Sequence, residues 1–144
     1  MISKAISYEE LKEAIDIAFD DDQEIVEMYD PNQKVSNLSE VKDNIYQKLF
    51  ELKDIVECKG TYLEDKIAGY YIFIDSLLIS FAINKKYRIP EHLNSFFELI
   101  KKDLGDLFIC RLWDTNIRGI GWLVKNDMQI VDLEKNIVTL IFKK

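Results

Sequence analysis

The sequence predicts a mixed α/β (α+β) domain, a mixed central sheet of about six or seven strands with helices on both faces, and three observations carry that expectation. Residues 67–74 and 77–83 are apolar at nearly every position, as strands covered on both sides are. Segments of helical periodicity stand before and after them. A strand, helix, strand succession across 77–112 then requires a parallel pair joined by a right-handed crossover.

Taken in order, Ser7-Tyr8-Glu9-Glu10 is a capping box, and Leu11, Ala14, Ile15 and Ala18 follow at helical spacing. Asp20-Asp21-Asp22 lacks the alternation and closing Glu of a calcium loop and reads as a solvated helix end. Pro31 and the polar stretch 32–37 break the period. Ser39 then stands where it can cap a second amphipathic helix presenting Val41, Ile45, Leu49 and Leu52. From Ile55 the period becomes two, placing Val56, Cys58, Gly60 and Tyr62 on one strand face, and 63–66 turns the chain into a hairpin. Gly69 marks a bulge or a close backbone approach. Asp75-Ser76 is the tight turn between the two apolar strands. Pro90 suits the first turn of a helix buried through Leu93, Phe96, Phe97 and Ile100, and Gly105 leads into a strand at 107–112. Thr115 is the expected cap of a short helix with Ile117, Ile120 and Leu123. Strands 129–133 and 137–142 close the chain as a hairpin. No linker or internal repeat interrupts this order, so 1–144 reads as one domain.

The chain has 144 residues, 48% hydrophobic and 31% charged, and a chain of this size buries roughly 68–70% of its unfolded surface in one core. Its 26 acidic against 19 basic side chains leave a net charge of −7, which excludes a broad nucleic-acid face. Lys85, Lys86 and Arg88 form the densest basic spot, suited to phosphate groups, to a partner's acidic patch, or simply to solvent. No segment approaches the ~18 apolar residues of a membrane span and no leader is visible, so neither secretion nor membrane insertion is indicated. Cys58 and Cys110 read as reduced core thiols, from which a cytoplasmic location is expected, and one histidine with two distant cysteines offers no zinc spacing. His92, the only histidine, falls in the first turn of the crossover helix, either as a ligand or acid–base group or as an exposed helix residue. Trp113, Trp122, Tyr70, Tyr71 and Phe73 read as core or as an aromatic pocket.

This order of elements resembles the GNAT superfamily of N-acetyltransferases across nearly the whole chain, and two segments strengthen the likeness. Phe81-Ala82-Ile83-Asn84-Lys85-Lys86-Tyr87-Arg88 resembles the end of the family's fourth strand and the start of its pyrophosphate loop. Asn116-Ile117-Arg118-Gly119 through Lys125-Asn126-Asp127-Met128 resembles its N-x-x-A helix and the turn after it. The resemblance implies acetyl-CoA as cofactor and a small amine or protein amine as acceptor. It implies pantetheine beside the backbone of Phe81 and Ile83, and diphosphate on the loop and helix start carrying Lys85, Arg88, Ile89 and His92, with Asn116 opposite. The chain departs from the family pattern at Glu91 and Leu93, which replace both loop glycines, and at Leu123, which replaces a proton-donating Tyr. For a base that deprotonates the amine, Glu57, Glu64 and Asp114 stand near strand ends. Two readings follow. One is an acetyltransferase. The other is the fold kept without the chemistry as a binding or structural module, for example in a phage particle, or as a homodimer joined through edge strands or through the apolar hairpin of Ile137, Val138, Leu140, Ile141 and Phe142.

Overall fold

A computed structural model describes residues 1–32 and 34–144 of the protein; Gln33, within the polar stretch expected before the second amphipathic helix, lies outside the described residues. The capping box forms, with Ser7 Oγ accepting from the Glu10 amide at 3.1 Å and Glu10 Oε1 from the Ser7 amide at 2.9 Å. It starts α1 (Tyr8–Ala18), which buries Leu11, Ala14, Ile15 and Ala18. A short α2 (Glu24–Met28) follows, then α3 (Leu38–Phe50). Asn37, not Ser39, caps α3, accepting from the Glu40 amide at 3.0 Å. Two neighbouring residues compete for such a role, and the one that first leaves helical dihedrals takes it.

The strands are β1 (Ile2–Ala5), β2 (Glu57–Leu63), β3 (Lys66–Ile74), β4 (Leu77–Ile83), β5 (Leu107–Trp113), β6 (Gln129–Glu134) and β7 (Ile137–Lys143). They form one seven-stranded sheet in the order β1-β2-β3-β4-β5-β7-β6. Among the described residues only β4 and β5 pair in parallel. The crossover between them is a 3-10 turn, Lys85–Tyr87, and α4 (Pro90–Leu104), with Pro90 in its first turn and Gly105 at its end in a left-handed conformation. A last helix, α5 (Ile117–Lys125), follows β5. Asn116 caps it by accepting from the Gly119 amide at 3.0 Å. Thr115, the expected cap, instead donates to the carbonyls of Met28 and Tyr29, both at 3.1 Å.

Both faces of the sheet are covered, as the apolar β3 and β4 sequences require. On one face Tyr71, Phe73, Phe96, Ile100, Phe108 and Leu140 join α4 and α5 to the sheet. On the other, Tyr70 and Ile72 meet Leu11, Ile15, Val41 and Leu49 of α1 and α3. Each buried side chain the size of Phe96 or Phe108 contributes roughly 1.5–3 kcal/mol. The edge strand β6 is exposed along its whole length. The acidic run is the main correction to the sequence reading: Asp21 lies at the surface, but Asp22 is buried at 2% exposure, bonded to Arg88 and Arg118. Those partners lie far along the chain, and only the fold brings them to it.

Candidate functional site

β4 and β5 pair only at Leu77 with Ile109 and Leu78 with Cys110. Immediately beyond, the β3–β4 register shifts, Ile72 facing Ser80 while Phe73 faces Leu78, which leaves Ile79 as an extra residue in β4. A bulge bends its strand, and here it carries β4 away from β5. Gly69 of β3 allows the bent strand to come close, for a Cβ there would lie 2.2 Å from the Ala82 carbonyl oxygen. The diverging strand ends enclose a cleft of about 510 Å³.

The cleft runs through the sheet plane and has two lobes. On the α4–α5 side its walls include Phe81, Leu93, Phe96 and Trp122. On the α1–α3 side they include Phe19, Met28, Leu49 and Tyr70. Two wall groups are buried polar atoms without a hydrogen-bond partner among the described residues, the Tyr29 hydroxyl and the Trp122 indole N–H. Most buried polar groups are satisfied, so such orphans are expected where a ligand completes them. Tyr70 instead shares a 2.9 Å hydrogen bond with Ser80. Burial drives the Tyr70 phenol well above its ordinary range despite that bond, so it stays protonated.

The segment after β4 is tied to the end of α1 and the residues after it. Asn84 Nδ2 donates to the Ile17 carbonyl at 2.7 Å, and Lys85 Nζ meets Asp21 Oδ2 at 3.0 Å. Arg88 donates through Nε to the Ile83 carbonyl at 3.0 Å and through Nη2 to Asp22 at 2.8 Å. Arg118, from the first turn of α5, grips the same carboxylate with both terminal nitrogens at 3.0 and 2.8 Å. Burial alone would raise the Asp22 pKa, but hydrogen bonds from Arg118 and Arg88 outweigh it and hold the carboxyl below its ordinary range.

Of the residues singled out from the sequence, Phe81, Ile83, Arg88 and Asn116 come together on the cleft wall. Lys85 and Ile89 stand on the connection to α4, and His92 lies against Tyr87 with ring centroids 6.0 Å apart. None of these three lines the cleft, nor do Glu57, Glu64 or Asp114. Cys110 is fully buried, and burial pushes its thiol up to about 12, so no thiolate is available near neutral pH. Asp22, Arg118 and Tyr29 were missed by sequence reasoning. Arg118 stood inside the Asn116 segment, but nothing local to Asp22 or Tyr29 announced their surroundings. Among the described residues no group of three or more His, Cys, Asp or Glu is placed to hold a metal ion, and no helix is long and apolar enough to cross a membrane.

A mixed seven-stranded sheet whose parallel central pair splays open, with helices on both faces, is the GNAT N-acetyltransferase fold. The PaiA N-acetyltransferase of Thermoplasma acidophilum, solved in complex with coenzyme A, matches with a TM-score of 0.67 at 13% identity, over 99% of this chain and 98% of its own. Aminoglycoside 6′-acetyltransferase type Ii matches with 0.66 at 12% identity, over 99% and 97%. Campylobacter jejuni PseH, solved with acetyl coenzyme A, matches with 0.58 at 14% identity, over 99% of both chains. No family model matches the chain, and no curated protein matches it in sequence.

Proposed function

We propose that this protein is an N-acetyltransferase that passes the acetyl group of acetyl-CoA to a primary amine. The observation that carries the proposal is the splay itself: parallel pairing stops after Leu78 and Cys110, and the gap beyond is a cleft open through the sheet. The comparison structures solved with coenzyme A or acetyl coenzyme A share this fold, and that supports the same ligand class here.

The residues present fit such a ligand. The β4 backbone near Phe81 and Ile83 has lost its β5 neighbour, and peptide groups without a strand partner are ready to bond an extended amide chain. Leu93, Phe96 and Trp122 would pack against that chain, and the unpartnered Trp122 N–H offers it a donor. α4 has no side-chain cap at Ile89, so the first-turn amides of Glu91 and His92, with Arg88 and Lys85 close by in sequence, are assigned the diphosphate. Asn116 holds the facing helix start in place through Gly119. When bound, acetyl-CoA supplies an activated acyl group. The α1–α3 lobe would then present the amine, with the protonated Tyr70 and Tyr29 phenols as its hydrogen-bonding groups. Glu57, Glu64 and Asp114 are kept as candidates for removing the ammonium proton, and since none lines the cleft, that transfer would occur outside it.

The second reading, a fold kept without chemistry, is favoured by three observations. Arg88 and Arg118 are already occupied by Asp22, Glu91 and Leu93 stand in the first turn of α4, and Leu123 is fully buried. Calorimetric titration with acetyl-CoA and with free CoA, on the wild type and on Arg88→Ala, decides between them. Micromolar binding that weakens in Arg88→Ala supports the enzyme. No binding up to millimolar ligand overturns it and leaves the binding module.

A further inference from the structure

The charges on the cleft wall restrict the acceptor. The charged side chains that line the cleft are Lys48, Arg88, Arg111 and Arg118, all cations; no Asp or Glu is among the described residues that line it. Arg88 and Arg118 share Asp22, Arg118 also reaching Glu24 Oε2 at 3.5 Å, and Lys48 pairs with Asp30 at 3.2 Å. Arg111 projects from the splayed part of β5, on the strand face that also carries Ile109 and Trp113, opposite to the buried Phe108 and Cys110. It is exposed and enters no ion pair among the described residues. The cleft that Arg111 lines is otherwise largely apolar, with Phe19, Met28, Leu49 and Trp113 among its walls, and it also carries the orphaned Tyr29 hydroxyl.

We infer that the acceptor is a primary amine with an apolar or aromatic body and a carboxylate or similar small anion, the anion meeting Arg111 and the body lying near Tyr29 and Trp113. The inference rests on the acetyl-transfer reading and narrows it. A polyamine or other multiply charged cation would enter this lobe without one carboxylate to balance it, against the uncompensated charge of Arg111. An amine with an apolar body instead replaces water on an apolar wall. Its anion forms a charge-assisted bond to a guanidinium that is unpaired in the protein. The Tyr29 hydroxyl gains the partner it lacks. The same amine-plus-carboxylate chemistry is shared by a free amino acid and by a small amino-substituted acid.

The test uses 4-(aminomethyl)benzoate, its methyl ester and spermidine as probes, with binding read by ligand-observed NMR and calorimetry on the full chain, and acetylation read separately. The free acid is expected to bind about tenfold more tightly than the ester, and spermidine more weakly than either. Arg111→Gln, an exposed change, is expected to erase the preference for the acid, and Tyr29→Phe to weaken acid and ester alike. The inference is overturned if spermidine binds as well as the acid, if ester and acid are equivalent, if Arg111→Gln leaves the preference intact, or if no probe binds. Leucine compared with 4-(aminomethyl)benzoate separates free amino acids from the longer acids, and tighter binding of either supports the inference. An acid preference found together with absent acetyl-CoA binding would sink the acetyl-transfer reading while the charge selectivity of the lobe stood.

Discussion

Asp22 holds Arg118 through both carboxylate oxygens, at 3.0 and 2.8 Å, at a site where Asp22 itself is only 2% exposed. Arg88 reaches the same Oδ2 at 2.8 Å. A charge so buried persists because three charge-assisted hydrogen bonds satisfy it. Asp22→Asn removes the charge that two guanidiniums, only 20% and 30% exposed, share, leaving Arg88 the Ile83 carbonyl and Arg118 the exposed Glu24 at 3.5 Å. We expect it to lower stability by about 3 kcal/mol in urea unfolding. A loss under about 1 kcal/mol would show that the arginines are hydrated as easily as surface ones.

The same contact sets a pH dependence. Burial opposes the Asp22 charge, Arg118 and Arg88 outweigh it, and the folded pKa lies below the unfolded one. As pH falls, the unfolded chain therefore takes up the proton first. The stabilisation is complete above the ordinary carboxylate range and is lost as pH drops through that range toward the folded value. The stability difference between wild type and Asp22→Asn should be level from neutral pH down to that range and shrink below it. A difference that grew in acid would contradict the ion pair as its source.

Arg88 cannot serve two anions fully at once. If its guanidinium, which lines the cleft, contributes to diphosphate binding, Asp22 competes with the ligand for it. Asp22→Asn should then raise acetyl-CoA affinity, and Arg88→Ala lower it, by about tenfold each. Calorimetry on both variants checks this, with the Asp22 variant measured well below its unfolding temperature. Unchanged affinity in both would place the diphosphate elsewhere.

The parts of the fold that were legible in the sequence are those that depend on local pattern. The capping box at Ser7, the two-sided apolar strands β3 and β4, and the crossover helix begun by Pro90 each carry their signal within a few residues. β1 was not foreseen because Ile2–Ala5 is too short and too exposed to show alternation, and it is a strand only through pairing with β2. The site divides in the same way. Phe81, Ile83, Arg88 and Asn116 sit on segments whose pattern was readable, and they converge on the cleft. Asp22 was read as solvated because its two arginines are 66 and 96 residues away. Tyr29 and Trp122 carried no mark of the missing partners that single them out, since only the packed structure shows which polar atoms are left over.

Gly69 sets how closely β4 follows β3 where the cleft opens. An added Cβ would lie 2.2 Å from the Ala82 oxygen and 2.8 Å from the Ile83 Cα, both main-chain atoms that no rotamer change can move aside. Gly69→Ala must push the end of β4, which carries the cleft-lining Phe81 and Ile83. The expected loss is about 1–3 kcal/mol in denaturant unfolding, with weaker acetyl-CoA binding while the chain is still folded. Gly60 and Gly121 are the controls. At Gly60 the nearest atoms are side-chain atoms of Ile6 and Tyr62, at 3.1 Å and beyond, which can give way, so Gly60→Ala should cost less. At Gly121, inside α5, nothing lies within 4 Å, and Gly121→Ala should stabilise by up to about 1 kcal/mol through helix propensity. If Gly69→Ala cost no more than Gly60→Ala and left ligand affinity unchanged, the close approach of β3 and β4 would not be what shapes the cleft.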